Sequence, residues 1–497
     1  MPERLTRRSP GKGDLHPLEW GNFQPARSAL SRILCRFCDK FPAQKSKPGA
    51  NFAAPFGRVT MSIPDDLPPG FPQSMIDQVR TTRLPNGLTI LTEHMPGLRS
   101  VTLGIWVRRG SRHESPQLNG ISHFIEHALF KGTQRRSAHD IAMESDRLGG
   151  HMDAYTTHEM TGFSMKVVDS AMPAAFDLIA DMLANPRFDE HDLKREQNVI
   201  IEEMKMVEDT PEEFLGELFN AAYFPDHPLG RPIEGTVATV SSFDRQQTAV
   251  FHGGNYAPAN LVIAAAGNVD HVQLVDLATK SFGNSNGRPA QYATDSIPAV
   301  AAPIIIERKG ELEQAHLIIA APWPSATSND RYVASMLGTI IGGSTSSRLW
   351  QSIREERGLA YAIGAGGSTF TDIGVFTIYA GASPGHIDEV LDLSLKELRR
   401  AVREPAAEDE LKLAKEQAIS TILLSLESSS ARVGALARQE IVHGRRIPPD
   451  EIIKRIEAVT REDMLSLAQA HFTTESLAVG ALGNLNGFAV DRSRLEI

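Results

Sequence analysis

From about residue 80 the chain alternates between short runs with period-two apolar spacing and longer runs with apolar residues every three or four positions. The segment "RTTRLPNGLTILTEHM" predicts two short strands around a Pro-Asn-Gly turn, and "SVTLGIWVRRGS" predicts another strand. A helix is expected across "GISHFIEHALFKGT". After its paired glycines, "GGHMDAYTTHEMTGFSMKVV" alternates and is rich in β-formers. "PAAFDLIADMLANP" has helical spacing between two prolines, and a long charged helix is expected over "DEHDLKREQNVIIEEMKMVED".

The same order returns near residue 304. "APIIIERKG" and "AHLIIAAPW" predict strands, and "DRYVASMLGTII" predicts a helix. "STFTDIGVFTIYAGASPGHIDEVLDLSLKELRRAVREP" parallels "TTHEMTGFSMKVVDSAMPAAFDLIADMLANP", and "EDELKLAKEQAISTI" parallels "EHDLKREQNVIIEEM". Between the copies, "FGNSNGRPAQYATDSIPAVAAP" is rich in Gly, Pro, Ser and Asn and reads as a linker. The pattern therefore implies a duplicated α+β module. The expected division is an N-terminal extension over 1–75, a first domain over 76–285, a linker over 286–303 and a second domain over 304–490.

The 497 residues exceed one ordinary core, in keeping with two domains. No run of about 18 apolar residues is present, so no transmembrane segment is expected. Residues 1–60 carry 11 Lys and Arg against 4 Asp and Glu, leaving 40 against 57 in the remainder. An acidic body argues against a nucleic-acid partner and is compatible with peptides that bring positive charge. Three readings fit the basic first sixty residues: a disordered arm, an organelle-targeting segment, or sequence upstream of a true start at Met61. No secretory signal is evident. The expected location is cytoplasmic, or the mitochondrial matrix if the basic segment is a targeting peptide. Both cysteines, Cys35 and Cys38, fall in that segment, so no disulfide framework or thiolate ligand is expected elsewhere.

The candidate metal motif lies in the first copy alone. On a helix, His123 and His127 stand four apart on one face and can present imidazole nitrogens to one point. Glu126 shares that side and can serve as a general base beside a metal. This His-x-x-Glu-His order is the inverse of the common zincin motif. Two His and one carboxylate leave a fourth tetrahedral position open, as catalytic zinc requires. The charged helix offers Glu196, Glu202, Glu203 and Glu208. Glu196 and Glu203 share a face, and Glu202 points about 100° away from it. Glu203 is the expected ligand and Glu196 an acceptor behind a ligand. The second copy has "MLGTIIGG" where the first has the motif, and Thr421 falls opposite Glu203. A role common to both copies would not need the His and Glu in one only.

Through "GISHFIEHALFKGT", the step from His127 to Glu203, "REQNVIIEE", "GGHMDAYTTHEMTGF" and "SSRLWQSIREERGLAY", the chain resembles the pitrilysin/insulinase family of zinc metallopeptidases. The likeness is to the branch of β-type mitochondrial and bacterial processing-peptidase-like proteins, over about residues 78–490. The resemblance implies two homologous α/β-roll domains, zinc as cofactor on His123, His127 and Glu203, Glu126 as base, and Glu196 as a further acid supporting catalysis. It also implies that Asp153, Ala154 and Thr156 lie on a strand edge where an extended peptide pairs. Asp153 stands where the family usually has Asn. Arg354 and Tyr361 match a pair that contacts substrate carbonyls, suitable donors to a developing oxyanion. In the family that pair works against a metal site in the opposite half of a four-domain enclosure. The resemblance therefore implies a homodimer with two composite sites, or a heterodimer with a related, metal-free subunit, acting on peptide substrates.

Overall fold

The computed structural model of the chain describes residues 79–150, 152–285, 298–485 and 487–497. The expected extension over 1–75 and most of the expected linker lie outside the described residues. The first half runs β1 (Val79–Arg83), β2 (Thr89–His94), β3 (Ser100–Val107), α1 (Ile121–Leu129), α2 (Ala138–Arg147), β4 (Met152–Thr156) and β5 (Thr161–Val168). It continues through α3 (Met172–Ala184), α4 (Glu190–Glu208), α5 (Pro211–Tyr223), α6 (Val237–Ser242), α7 (Arg245–Asn255), β6 (Leu261–Gly267) and α8 (His271–Phe282). The second half runs β7 (Ile304–Arg308), β8 (Ala315–Trp323), α9 (Arg331–Gly338), β9 (Ala360–Thr369), β10 (Gly374–Ala382), α10 (Ile387–Arg403) and α11 (Glu408–Ser425). It ends with α12 (Ser429–His443), α13 (Pro449–Glu457), α14 (Arg461–His471) and β11 (Ala478–Gly483).

The strands form two mainly antiparallel sheets, ordered β1-β2-β6-β3-β5-β4 and β7-β11-β8-β10-β9. Aligned strand by strand, β2, β6, β3, β5 and β4 correspond to β7, β11, β8, β10 and β9. In each sheet a late strand closes in parallel beside the first of these, β6 on β2 and β11 on β7, while its other neighbour is antiparallel. The duplicated α+β architecture expected from the repeat is thus present, with β1 added to the first copy. That strand comes from the expected hairpin, whose turn needs Gly87 at φ +89°.

Packing crosses the division between the copies. One face of the first sheet packs on its own α1, α3, α4 and α8. The opposite face, with Leu91, Trp106, Val262, Ala264 and Ala266, packs on Val433, Leu436 and Ala437 of α12 from the second half. Reciprocally, Leu215, Phe219 and Tyr223 of α5 cover Ile318, Val375, Ala478 and Leu482 of the second sheet. Helix periodicity states which face of α5 is apolar but not which sheet receives it. Cover on both faces explains why β3 and β6 read as nearly continuous apolar runs and not as half-buried alternation.

Ion pairs and hydrogen bonds between the halves reinforce this clasp. Glu440 of α12, whose side chain is 5% exposed, accepts from both terminal nitrogens of Arg83, at 2.7 and 3.0 Å, and from Arg108 at 2.9 Å. Arg432 donates to Glu93, Thr102 meets Ser429 at 2.8 Å, and Arg112 pairs with Asp372 of the second half.

Candidate metal centre

Helix α1 buries Ile121, Phe124, Ile125, Ala128 and Leu129, spaced three and four apart, in the first core. That anchoring aims His123, Glu126 and His127 at the gap between α1, α4 and β4. Its start is unusual. Gly120, the N-cap, has φ +94° and no side chain to offer the free amides of the first turn. Glu114 does this from six residues upstream: Oε2 accepts from the Gly120 amide at 2.8 Å, and Oε1 from the Ser122 amide at 2.8 Å. Glu114 is buried, and burial pushes its carboxyl up to about 7 against the opposing effect of those amides.

Helix α4 starts at the N-cap Asp189, whose carboxylate accepts from the His191 amide at 3.0 Å. Leu193, Glu196, Gln197 and Ile200 form its buried face, and Glu203 continues the Glu196 line toward α1. Glu202 points away and pairs with Lys205 at 2.7 Å in solvent.

His123, His127 and Glu203 each offer a ligand atom, all within 4.8 Å of one another. The two imidazoles meet edge to face with centroids 4.6 Å apart. His127 Nε2 lies 3.6 Å from Glu203 Oε2. Tetrahedral zinc with bonds of about 2.0–2.1 Å places its ligand atoms about 3.4 Å apart, a spacing the His127–Glu203 pair already approaches. His123 is fully buried, and neither of its ring nitrogens has a hydrogen-bond partner. A buried imidazole without partners is costly unless something else takes a nitrogen lone pair. The donor set and the orphaned nitrogens fit a zinc ion.

Behind the ligands, His127 Nδ1 lies 3.3 Å from Glu196 Oε2 and Lys131 Nζ lies 2.9 Å from Glu196 Oε1. A proton on Nδ1 would donate to Glu196 and leave Nε2, the nitrogen facing Glu203, for a metal. Burial, aided by the neighbouring His127, holds His123 well below the usual imidazole range. Burial also opposes charge on His127, but the Glu196 hydrogen bond and the Glu203, Glu126 and Glu196 charges outweigh it and raise its pKa. Burial raises Glu203; in Glu196 the same cost is outweighed by His127 and Lys131, which lower it.

Glu126 is buried, and the Thr156 hydroxyl donates to its Oε2 at 2.6 Å. Thr156 ends β4, the terminal strand of the first sheet, whose inner edge pairs Asp153 with Ser164 and Ala154 with Phe163. The expected strand edge therefore runs up to the expected base. Tyr256, just after α7, stacks on His252 at 4.5 Å, and its buried hydroxyl has no hydrogen-bond partner. Burial and the nearby Glu126 charge push that phenol up.

Arg354 and Tyr361 are brought to each other but not to the metal-ligating group. Arg354 lies over the rings of Trp350, at 4.1 Å, and Tyr361, at 5.6 Å. Tyr361 is 76% exposed near the start of β9, the terminal strand of the second sheet. Among the described residues neither makes a hydrogen bond, ion pair or ring contact with His123, His127 or Glu203. Sequence reasoning missed Glu114, Lys131 and Tyr256. Lys131 stands four residues after His127, a spacing that could have marked it; Glu114 and Tyr256 meet the site across turns, where no periodic spacing marks them.

Two family models match the chain: insulinase (peptidase family M16) over residues 89–237 and the peptidase M16 inactive domain over residues 242–418. An uncharacterized zinc protease of Streptomyces coelicolor is 38% identical over 79% of this chain and 87% of its own length. The uncharacterized zinc protease YmxG of Bacillus subtilis is 37% identical over 78% of this chain and 95% of its own. Among solved structures, a peptidase M16 inactive domain from Pseudomonas fluorescens superposes with TM-score 0.76 at 20% identity, covering 82% of this chain and 98% of that one. A protease from Helicobacter pylori gives TM-score 0.74 at 20% identity, with coverage of 82% and 99%. A chain of complex III2 from Candida albicans gives 0.73 at 22% identity, with coverage of 84% and 100%.

Proposed function

The chain belongs to the insulinase family of peptidases, M16, and from that premise we propose that it is a zinc-dependent endopeptidase acting on unfolded or presequence-like peptides. The observation that carries this reading is the convergence of His123, His127 and Glu203 beside a buried Glu126 at the end of an open strand edge. His123, His127 and Glu203 would hold the ion. Zinc in that position supplies Lewis-acid polarisation of the scissile carbonyl and makes a water acidic enough to attack near neutral pH.

The chain's own residues supply the rest. An extended peptide adds to the outer edge of β4, along Asp153, Ala154 and Thr156, and backbone pairing sets its register. Thr156 couples that strand to Glu126, so peptide register and base position are linked through one hydroxyl. Glu126 takes the proton of the attacking water and delivers it to the leaving amine. Glu196, held by Lys131, keeps the Nδ1 proton of His127 in place.

Tyr361 lies on β9, the terminal strand of the other sheet, and Arg354 on the helical turn before it; among the described residues neither contacts the candidate ligands of its own chain. This favours a composite site in which the pair from a second subunit serves as donor to the developing oxyanion. A homodimer carrying both parts would have two such sites. The competing reading is a β-type subunit that cleaves only with a metal-free partner, or a non-catalytic peptide-binding or core subunit.

Peptide hydrolysis and zinc content, measured on the parent and Glu126→Gln, test the assignment. The parent should cleave and lose activity to a chelator, while the variant keeps zinc and does not cleave. A parent that holds zinc but cleaves nothing favours the competing reading. Mixing Glu126→Gln with Tyr361→Phe subunits should restore about a quarter of parental activity if sites are shared between copies. No restoration removes the composite homodimer.

A further inference from the structure

We propose that Glu114 is a positioning residue for the metal centre, fixing the first turn of α1 so that His123 meets the ion. This rests on the metal-centre reading above and concerns a residue outside the inverse motif. His123 is the third residue of α1, inside the turn whose free amides Glu114 takes up. Its ring makes no hydrogen bond, so only packing and the backbone of that turn set where its nitrogens point.

The bracket around Glu114 is built on three sides. Its carboxylate accepts from the Gly120 and Ser122 amides at 2.8 Å each and from the Asn119 side chain at 3.3 Å. Its own carbonyl accepts from Arg231 at 3.1 Å, and Asn119 also donates to the Pro232 carbonyl at 2.9 Å. The segment 231–235 is thereby drawn against the helix start, where Gly120 and Gly235 face each other with φ +94° and +86°. A Cβ on Gly120 would lie 2.5 Å from the Glu234 carbonyl oxygen, and one on Gly235 would lie 2.5 Å from that of Asn119. The helix start thus sits in a slot with no spare room, and Glu114 is its hydrogen-bonding floor.

A carboxylate is required there because both of its oxygens face N–H groups. An amide of the same shape cannot replace it: whichever way it turns, its NH₂ confronts a backbone N–H. Glu114→Gln should therefore let the first turn shift, and zinc affinity should fall about 10- to 100-fold, as for other supports behind metal ligands. A general loss of stability would not single out the metal. Glu440→Gln, at the clasp between the halves, serves as the control that weakens the fold elsewhere.

The test is competition for zinc against a chromophoric chelator on the full chain of the parent, Glu114→Gln and Glu440→Gln, with melting temperatures of the metal-free proteins. Cobalt(II) spectra of each provide a readout of ligand geometry. The expected result is weaker zinc binding and an altered cobalt spectrum in Glu114→Gln only, with Glu440→Gln lowering the melting temperature and leaving both metal readouts unchanged. Parental zinc affinity and spectrum in Glu114→Gln overturn the positioning role, as does an equal loss of affinity in both variants. If Glu114→Gln does not fold, Asn119→Ala, which removes the neighbouring donor and leaves the carboxylate, must show the same pattern in weaker form or the role is rejected. A parent that binds no zinc overturns the metal centre itself, and the positioning role with it.

Discussion

His123 and His127 share one helix but face different electrostatics. His123 is buried with no counter-charge and stays neutral, so its nitrogens are available to a metal without competition from a proton. His127 is surrounded by carboxylates that favour its charged form, and a divalent ion would take the place of that proton. Replacing Glu126 by Gln removes the proposed base but none of the three proposed ligands. Peptidase activity should fall by about 10²–10⁴ with zinc content unchanged, as read by hydrolysis and metal analysis. A second residue-scale consequence concerns Glu234, buried beside Glu217, whose carboxyl is pushed up from 4.5 to about 8 chiefly by burial. The folded state holds that proton over a range in which the unfolded chain has lost it. Its contribution to stability is present below pH 4.5 and is lost as pH rises through about 8. Glu234→Gln should flatten the decline between pH 5 and 8.5 in urea unfolding, by an amount on the order of a few kcal/mol. At pH 5 it should change little.

At the scale of elements, the inverse motif was legible because one helix fixes its geometry: positions 123, 126 and 127 must share a side whatever surrounds them. Glu203 was legible for the same reason, seven residues from Glu196 along α4. The hairpin strands β1 and β2 were legible from the Pro-Asn-Gly turn, and β3, β4, β5, β7, β8 and β10 from their β-rich runs, but β6, β9 and β11 were not among the expected strands. Glu114 was not, because its bonds to α1 pass through two short turns without a periodic pattern. The destinations of α5 and α12 were not legible either, since periodicity marks an apolar face and is silent on its partner. The junction of α1 with the 231–235 segment gives the element-scale prediction. Gly235→Ala places a Cβ at positive φ against the Asn119 carbonyl, and should cost about 1–2 kcal/mol or more in chemical unfolding. Gly253, on α7 with open space around it, should accept Ala with little loss.

At the scale of the molecule, two sheets exchange helices, and the exchange is held by Glu440. Removing its charge leaves Arg83 and Arg108 without their shared acceptor at a largely buried position. Glu440→Gln should lower stability by about 2 kcal/mol, discounted for the half-exposed Arg83, and a single unfolding transition should persist. Either half expressed alone should be insoluble, because each would present its uncovered sheet face and its unpartnered helix. Pairing the two fragments in one cell should recover soluble protein.

The helix exchange also bears on why a copy without metal ligands persists. Where the first copy carries the His and Glu of the inverse motif, the second carries "MLGTIIGG". That copy is not dispensable, because its Val433, Leu436 and Ala437 cover the face of the first sheet opposite α1 and α4. This half therefore serves the first as scaffolding, besides bringing Arg354 and Tyr361. A shortened gene ending after the first copy would keep every ligand of the metal site and lose the surface that lets its sheet exist in water.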